Sequence, residues 1–498
     1  MLEEIKKLLK HGSVYSLGNI LNKAVGFLLI PFYTHYLTTA DYGTLELLDL
    51  SVSLIGLLLN MWMNASLVRH YYEYEDSKNR NEVVSTALIA TSAAAAAVSV
   101  FGLIWARDVS RLILKSPEFF RLVQVIACNL FFTCINSVSF SYLRARQRSS
   151  SIVTMNTVSL VVGLALNIYL LAVMKTGVIG ILLGSLISNI LVTTVLTVLT
   201  VSQVGFHFNL IKFRALAAFG LPLIVTSFSA FELNFADRFF LQHYSNLATV
   251  GVYALGYKFG YMLSFLLIQP FMMIWGARMY EVAKREDAGP VFSRIAGYFT
   301  LLMCAVALGM SLVIKEVISV IAPLQFHNAY KVVPVVALSY LFYGIGYYFQ
   351  SGIYISKKTH YLGLMGAICA VANIGLNVLL IPRFAAMGAA WATALSFLLM
   401  AVLAYFFSQR AYHIPYMLSK VLVPLGAAIV AYCLSTLISA GSVPVAILLK
   451  GFVLVGFVLL ILVSGYLDKS ETSRLRQVAG SVWGRFGWAE NAQGRTIE

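Results

Sequence analysis

Residues 443–467 read VPVAILLKGFVLVGFVLLILVSGYL, an apolar run interrupted by one lysine, Lys450. A helix crosses the hydrocarbon core of a bilayer in about 20 residues, so this run is long enough to span. In lipid every backbone N–H and C=O needs an internal partner, which leaves helices or a closed barrel. Barrel strands would alternate in segments of about 10 residues, and no such alternation is visible here. The rest of the chain has the same character. Of its 498 residues 59% are hydrophobic and only 11% are charged, against about 25% charged in soluble domains. Such a chain cannot cover its outside with polar groups. It is expected to be an all-α integral membrane protein.

Reading outward from that run predicts about fourteen transmembrane helices, over 13–37, 43–68, 82–104, 120–142, 152–173, 178–202, 218–242, 249–275, 293–314, 331–353, 361–382, 387–408, 417–438 and 444–467. The connections are too short for a soluble catalytic domain. The net charge of +15 would suggest nucleic acid in a soluble protein. Here the cations sit between apolar runs, so they report topology, and no nucleic-acid partner is expected. Lysine and arginine number 23 in the connections of one side and 7 in those of the other. The positive-inside rule then places both termini in the cytoplasm, as an even number of spans requires. Residues 1–12 read as a basic amphipathic helix on the cytoplasmic surface, running into the first span without a cleavable signal. The tail 468–498 carries Leu475, Val478, Val482, Trp483 and Phe486 at helical spacing among arginines, a second pattern suited to contact with membrane lipids.

The chain also repeats itself. HYLTTADYG at 35–43 returns as HYSNLATVG at 243–251, an offset of 208. GLALNIYLL at 163–171 resembles IGLNVLLI at 374–381, and Gly180 and Ser188 pair with Gly388 and Ser396. The basic turn at Arg144, Arg146 and Arg148 returns as Lys357 and Lys358. This order predicts two pseudo-symmetric six-helix bundles, 13–202 and 218–408, joined by a cytoplasmic linker, 203–217. Two further transmembrane helices follow in 417–467. An even number of spans per half makes the repeats parallel, a design that suits transport by rocking about a central site.

Ionisable residues inside a span are costly and mark functional interiors. The ones singled out are Lys23, Glu46, Asp49, Glu232, Asp237, Arg238 and Lys258, all in spans 1, 2, 7 and 8. With about 100° per residue, Glu46, Asp49, Ser53, Asn60 and Asn64 share an arc of about 60°, a stripe fit to line a wet cavity. Ser16, Asn19 and Lys23 share a face of span 1. Ser227, Asn234, Asp237 and Arg238 cluster on span 7, with Glu232 pointing away. Tyr257, Tyr261 and Ser264 share a face of span 8 beside Lys258. The alternatives at these positions are structural ion pairs and plain aromatic packing. His35 and His243, being repeat-related, are expected to share a structural role at the outer surface. No P-loop, HExxH or histidine/cysteine ligand cluster occurs, so ATP hydrolysis and a bound metal or other cofactor are not expected. The five cysteines all lie in apolar spans and read as small packing residues.

The stretches GNILNKAVGFLLIPFYTHYLTTADYG (18–43) and ADRFFLQHYSNLATVGVYALGYKFG (236–260), with the 6+6+2 plan, resemble the polysaccharide transporter family. These are Wzx-like oligosaccharide flippases of the multidrug/oligosaccharidyl-lipid/polysaccharide exporter superfamily. The resemblance implies a multi-pass protein of the bacterial cytoplasmic membrane and not an enzyme. By alternating access it would move a polyprenyl-diphosphate-linked oligosaccharide from the inner to the outer leaflet. It implies coupling to H⁺ or Na⁺ and work beside a polysaccharide polymerase or glycosyltransferase. Lys23, Arg238 and Lys258 would then meet the diphosphate or acidic sugars, and Asn19, Asn60, Asn234, Tyr257 and Tyr261 the sugars. Glu46, Asp49 and Asp237 would balance those cations or carry the coupling ion. A multidrug or cation exporter of the same superfamily is the alternative, and a membrane polysaccharide polymerase a weaker one.

Overall fold

The computed structural model describes residues 25–438, 442–464 and 466. The expected surface helix 1–12, the site candidates Asn19 and Lys23, and the tail 468–498 lie outside the described residues, as does the first half of the expected first span, 13–24. The described residues form helices and connections, with no strand among them.

In chain order the helices are α1 (Ile30–Tyr36), α2 (Thr39–Glu73), α3 (Ser77–Ile104), α4 (Ala106–Leu114), α5 (Phe120–Ala145), α6 (Ser149–Val173), α7 (Val178–Val204), α8 (Leu210–Phe235), α9 (Asp237–Tyr244), α10 (Leu247–Val282), α11 (Ala288–Ile321), α12 (Val333–Ile355), α13 (His360–Ala411), α14 (Ser419–Ser435) and α15 (Val443–Val463). Among the described residues ten are long and apolar enough to cross a membrane. Counting the 3₁₀ turn Leu324–Lys331 and α12, bent by 41°, as one span raises this to eleven.

The expected fourteen exceed that number for physical reasons. At 52 residues, α13 would run about 78 Å if straight, more than twice the hydrocarbon thickness. It is not straight. Ala385, at φ 46° and ψ −125°, breaks the helical path just after Pro382, between the two spans expected there. Helix α14 is an apolar helix of 17 residues, short of a full crossing.

Positions 208–210 apart repeat the same local geometry. Thr38 and Asp41 form a reciprocal capping box at the start of α2, with two 3.1 Å bonds. Asn246, the counterpart of Thr38, accepts bonds of 2.9 and 3.0 Å from the amide and hydroxyl of Thr249 ahead of α10. Gln147 and Lys357 both take positive φ, 55° and 59°. Gly177, at φ 65° and ψ −145°, has the non-glycine Ala385 as its counterpart in nearly the same conformation. His35 meets Tyr36 edge-on at 5.2 Å, and His243 meets Tyr244 likewise at 4.8 Å. Wide π turns interrupt α2 at Leu57–Met61 and α10 at Ser264–Ile268. In α10 the cause is visible in the sequence, because Pro270 follows the turn and has no N–H to give.

The described residues divide into two compact units. One takes those up to Met262 together with Val317–Ala411, and the other Leu263–Glu316 with those from Tyr412 onward. The units do not coincide with the sequence repeat, since 263–316 groups with the end of the chain. In the first unit, Met63, Leu67, Val84, Leu88, Val138 and Leu216 pack into one core. Lipid-like exteriors carry residues such as Leu112, Ile211 and Val463. The second unit stacks Phe271 on Phe299 at 3.9 Å. There Lys450 Nζ meets Glu316 Oε1 at 2.6 Å, both largely buried. This pair corrects the expectation that interior charges are confined to spans 1, 2, 7 and 8. Lys450 stood alone within an apolar run, and its partner lies far away in sequence.

Candidate substrate cavity

The first unit holds a polar cavity of about 150 Å³ between α1, α2, α6, α7 and α10. The sequence builds its main wall locally. The capping box fixes where α2 starts, and Tyr42, Glu46 and Asp49 then follow at spacings of four and three, on one face. From α10, Lys258 Nζ reaches Glu46 Oε2 at 3.1 Å and donates to Tyr42 Oη at 3.0 Å. Its ammonium also lies 4.7 Å from the Tyr42 ring centroid. The lysine side chain is 41% exposed and the glutamate 13%, so the pair is open toward the cavity and screened accordingly. Asp49 lines the same space and is exposed to it. On the far wall Asn167 Nδ2 donates to Tyr33 Oη at 3.0 Å, beside Ser185.

The second group of expected site residues forms a sealed network. Arg238 is 1% exposed. Its Nη1 lies 2.6 Å from Asp237 Oδ1 and donates to the Asn234 carbonyl at 2.6 Å. Its guanidinium carbon sits 3.7 Å from the Tyr257 ring centroid. Asp237 Oδ2 also accepts from Tyr253 Oη and, at 3.4 Å, from Thr393 Oγ1. Tyr257 Oη lies 2.7 Å from Tyr340 Oη, which donates to Asn234 Oδ1 at 2.9 Å. Tyr261 is half-buried with its ring edge-on to Tyr340 at 5.3 Å. Hydrogen bonds and ring faces meet most of this buried charge pair, with Arg238 Nε left without a partner among the described residues, and such contacts keep a pair tolerable in a low-dielectric interior.

The stripe expected on α2 does not stay together. Glu46, Asp49 and Ser53 precede the π turn, and Asn60 and Asn64 sit in or after it. A π turn adds a residue to one turn and rotates everything beyond it, so a uniform 100° wheel fails there. Asn64 Nδ2 donates to Ser137 Oγ of α5 at 2.6 Å. Asn60 is buried, with Oδ1 lacking a partner among the described residues. Glu232 is 3% exposed, and neither of its carboxyl oxygens has a partner among the described residues. The cavity therefore brings together Glu46, Asp49 and Lys258, and Asp237, Arg238, Asn234 and Tyr257 form a separate cluster. Sequence reasoning missed Tyr33, Tyr42, Asn167 and Ser185. Only Asn167 carried a signal, since it recurs as Asn377 in the repeat. Among the described residues no group of histidine, cysteine and carboxylate side chains could hold a metal ion.

Residues 34–331 match the family model described as polysaccharide biosynthesis protein. An uncharacterized membrane protein of Haemophilus influenzae is 24% identical over 267 residues, covering 52% of this chain and 62% of that protein. The chain thus matches under two thirds of that relative's own length. The Lsg locus putative protein 1 of the same organism is 24% identical over 287 residues, 56% of this chain and 68% of that one. Among solved structures, the lipid II flippase MurJ in an inward closed conformation superposes with a TM-score of 0.74 at 14% identity, covering 89% of this chain and 97% of that one. An inward-facing multidrug resistance MATE family transporter of the MOP superfamily gives 0.63 at 13% identity, over 78% and 94%. At such identities the likeness is one of fold. The family match covers more than half of the sequence, and the chain belongs to the polysaccharide biosynthesis protein family.

Proposed function

We propose that this multi-pass membrane protein is a flippase that carries a polyprenyl-diphosphate-linked oligosaccharide from the inner to the outer leaflet of the cytoplasmic membrane. The observation that carries the reading is Lys258, a part-exposed cation at the wall of a small polar cavity inside a membrane domain. A diphosphate sugar head cannot cross hydrocarbon unaided, because each unpaired charge there costs several kcal/mol or more. A cation matched by tyrosine and amide groups supplies the contacts that such a head needs. Family membership and the likeness of fold to a lipid II flippase support the same reading. The bias of 23 to 7 in lysine and arginine between the two sets of connections supports cytoplasmic termini. The recurrence of backbone geometry at offsets of 208–210 supports two homologous six-span halves.

A second reading rests on a specific feature. Around the cavity two carboxylates, Glu46 and Asp49, face one lysine, a balance that suits a cationic cargo or a coupling H⁺ or Na⁺. A strain lacking the gene separates the two. With the flippase reading, the lipid-linked repeat accumulates with its head group on the cytoplasmic leaflet of membrane vesicles, and cationic dyes leave the cells at the normal rate. Normal head-group orientation together with slowed dye export would replace it with the exporter reading.

A further inference from the structure

Helices α2 and α10 meet along a seam at the ends that carry their capping turns. A Cβ on Gly43 would collide with the Leu247 carbonyl oxygen and lie 2.9 Å from the Gly251 amide nitrogen. A Cβ on Gly251 would collide with the Thr39 carbonyl oxygen and lie 2.9 Å from the Gly43 nitrogen. Thr39 and Leu247, like Gly43 and Gly251, are 208 positions apart. The contact is therefore its own counterpart under the repeat, in the way a two-fold interface is. It lets two backbones touch, next to Tyr42 and within one turn of Glu46 in the cavity wall.

Two turns further along α10, Lys258 ties the same seam. Its Nζ reaches across to Glu46 and Tyr42 of α2, three residues and one residue from Gly43. Tyr42 is in turn held edge-on by Phe326 at 5.7 Å. The lysine that offers a cation to the cavity is thus also the group that bonds α10 to α2. It cannot serve both at full strength.

Resting on the flippase reading above, we propose that Lys258 is a ligand-released latch on this seam. An anionic group that enters the cavity takes the ammonium from Glu46 and Tyr42. The anion, now held on α10, faces Glu46 and Asp49 on α2. An attraction across the seam becomes a repulsion, and the helix ends that meet at Gly43 and Gly251 part. An empty carrier, with the pair intact, keeps those ends together. A conformational change is driven only by a ligand that interacts differently with the two states, and this exchange of partners is such a difference.

The test measures the seam directly. Nitroxide labels are placed at Tyr36 and Tyr244, exposed and repeat-related positions at the ends of α1 and α9, in an otherwise cysteine-free full-length chain. The protein is reconstituted in phosphatidylcholine vesicles with and without a polyprenyl diphosphate, and binding of that lipid is measured in the same vesicles. The expected result is a short label distance without the diphosphate and a longer population with it. Lys258→Gln should raise the open population of the empty carrier about fivefold or more, the lower range of allosteric coupling, and make it indifferent to the diphosphate. Glu46→Gln, which leaves the lysine in place, should also open the empty carrier and still respond to it. Wild-type protein that binds the diphosphate without a distance change overturns the latch and leaves the flippase reading standing. So does a folded Lys258→Gln protein that stays closed. Absence of diphosphate binding by wild-type protein overturns the flippase reading itself.

Discussion

Lys258 and Arg238 are both cations of the second repeat, placed in opposite surroundings. Lys258 is part-exposed in a polar cavity, and its pairing with Glu46 is worth about 1 kcal/mol or less after screening. Lys258→Ala should therefore fold normally and flip lipid-linked substrate about tenfold or more slowly, a loss of roughly 1.4 kcal/mol of binding to the transported head group. Head-group orientation in vesicles reads the rate, and thermal unfolding in detergent reads the stability. Arg238 is sealed against Asp237, so Arg238→Ala leaves a buried carboxylate without its cation. That should destabilise the fold by about 3–5 kcal/mol. The family resemblance implied that Arg238 meets the diphosphate, with a structural ion pair as the alternative. Joint replacement by Asp237→Asn and Arg238→Gln should recover much of the lost yield. An Arg238→Ala variant as stable as wild type would show that the Asp237–Arg238 pair does not hold the fold.

At the scale of elements, the repeat leaves one testable irregularity. Ala385 occupies a positive-φ conformation that its counterpart, Gly177, adopts without penalty. An alanine there stores about 1 kcal/mol of backbone strain. Ala385→Gly should raise the melting temperature of the purified protein, whereas Gly177→Ala should lower it. The seam between α2 and α10 makes a second prediction. Because the Gly43 and Gly251 contacts are reciprocal, Gly43→Ala and Gly251→Ala should impair transport to a similar degree. In both, helix content should be preserved, as circular dichroism would report. Cysteines at the two capping turns should cross-link more slowly than in otherwise wild-type protein. An unaltered cross-linking rate in either alanine variant would show that the backbones need not touch.

For the whole molecule, the positive-inside rule predicts that the distribution of lysine and arginine sets how the chain enters the membrane more than what it carries. Charge reversal within 144–148 should lower the amount of inserted protein while leaving flipping per folded molecule unchanged. Quantifying yield and activity together checks this, and full yield with abolished flipping would refute it. The region is also a structural join, since Arg146 bonds Gln203 of α7 and Tyr142 of its own helix. Part of the yield loss will come from that contact.

Hydrophobic run length, charge asymmetry and the 208-residue offset made the helical membrane class and the internal repeat legible before any coordinates. These depend on local chemistry, and the bilayer imposes the same rule on every span. The candidate site was legible in part. Glu46, Asp49 and Lys258 stand out because a charge in an apolar run is costly wherever the run packs. Their meeting in one cavity, the sealing of Arg238 against Asp237 and the pairing of Lys450 with Glu316 belong to the tertiary structure. No spacing along a helix encodes which neighbour it faces, and π turns at 57–61 and 264–268 rotate the faces that a regular wheel would assign. The sequence by itself determined that this chain lives in lipid and that short stretches of it recur at an offset near 208. Packing alone decided which of its buried charges are spent on holding the fold and which remain open to a ligand.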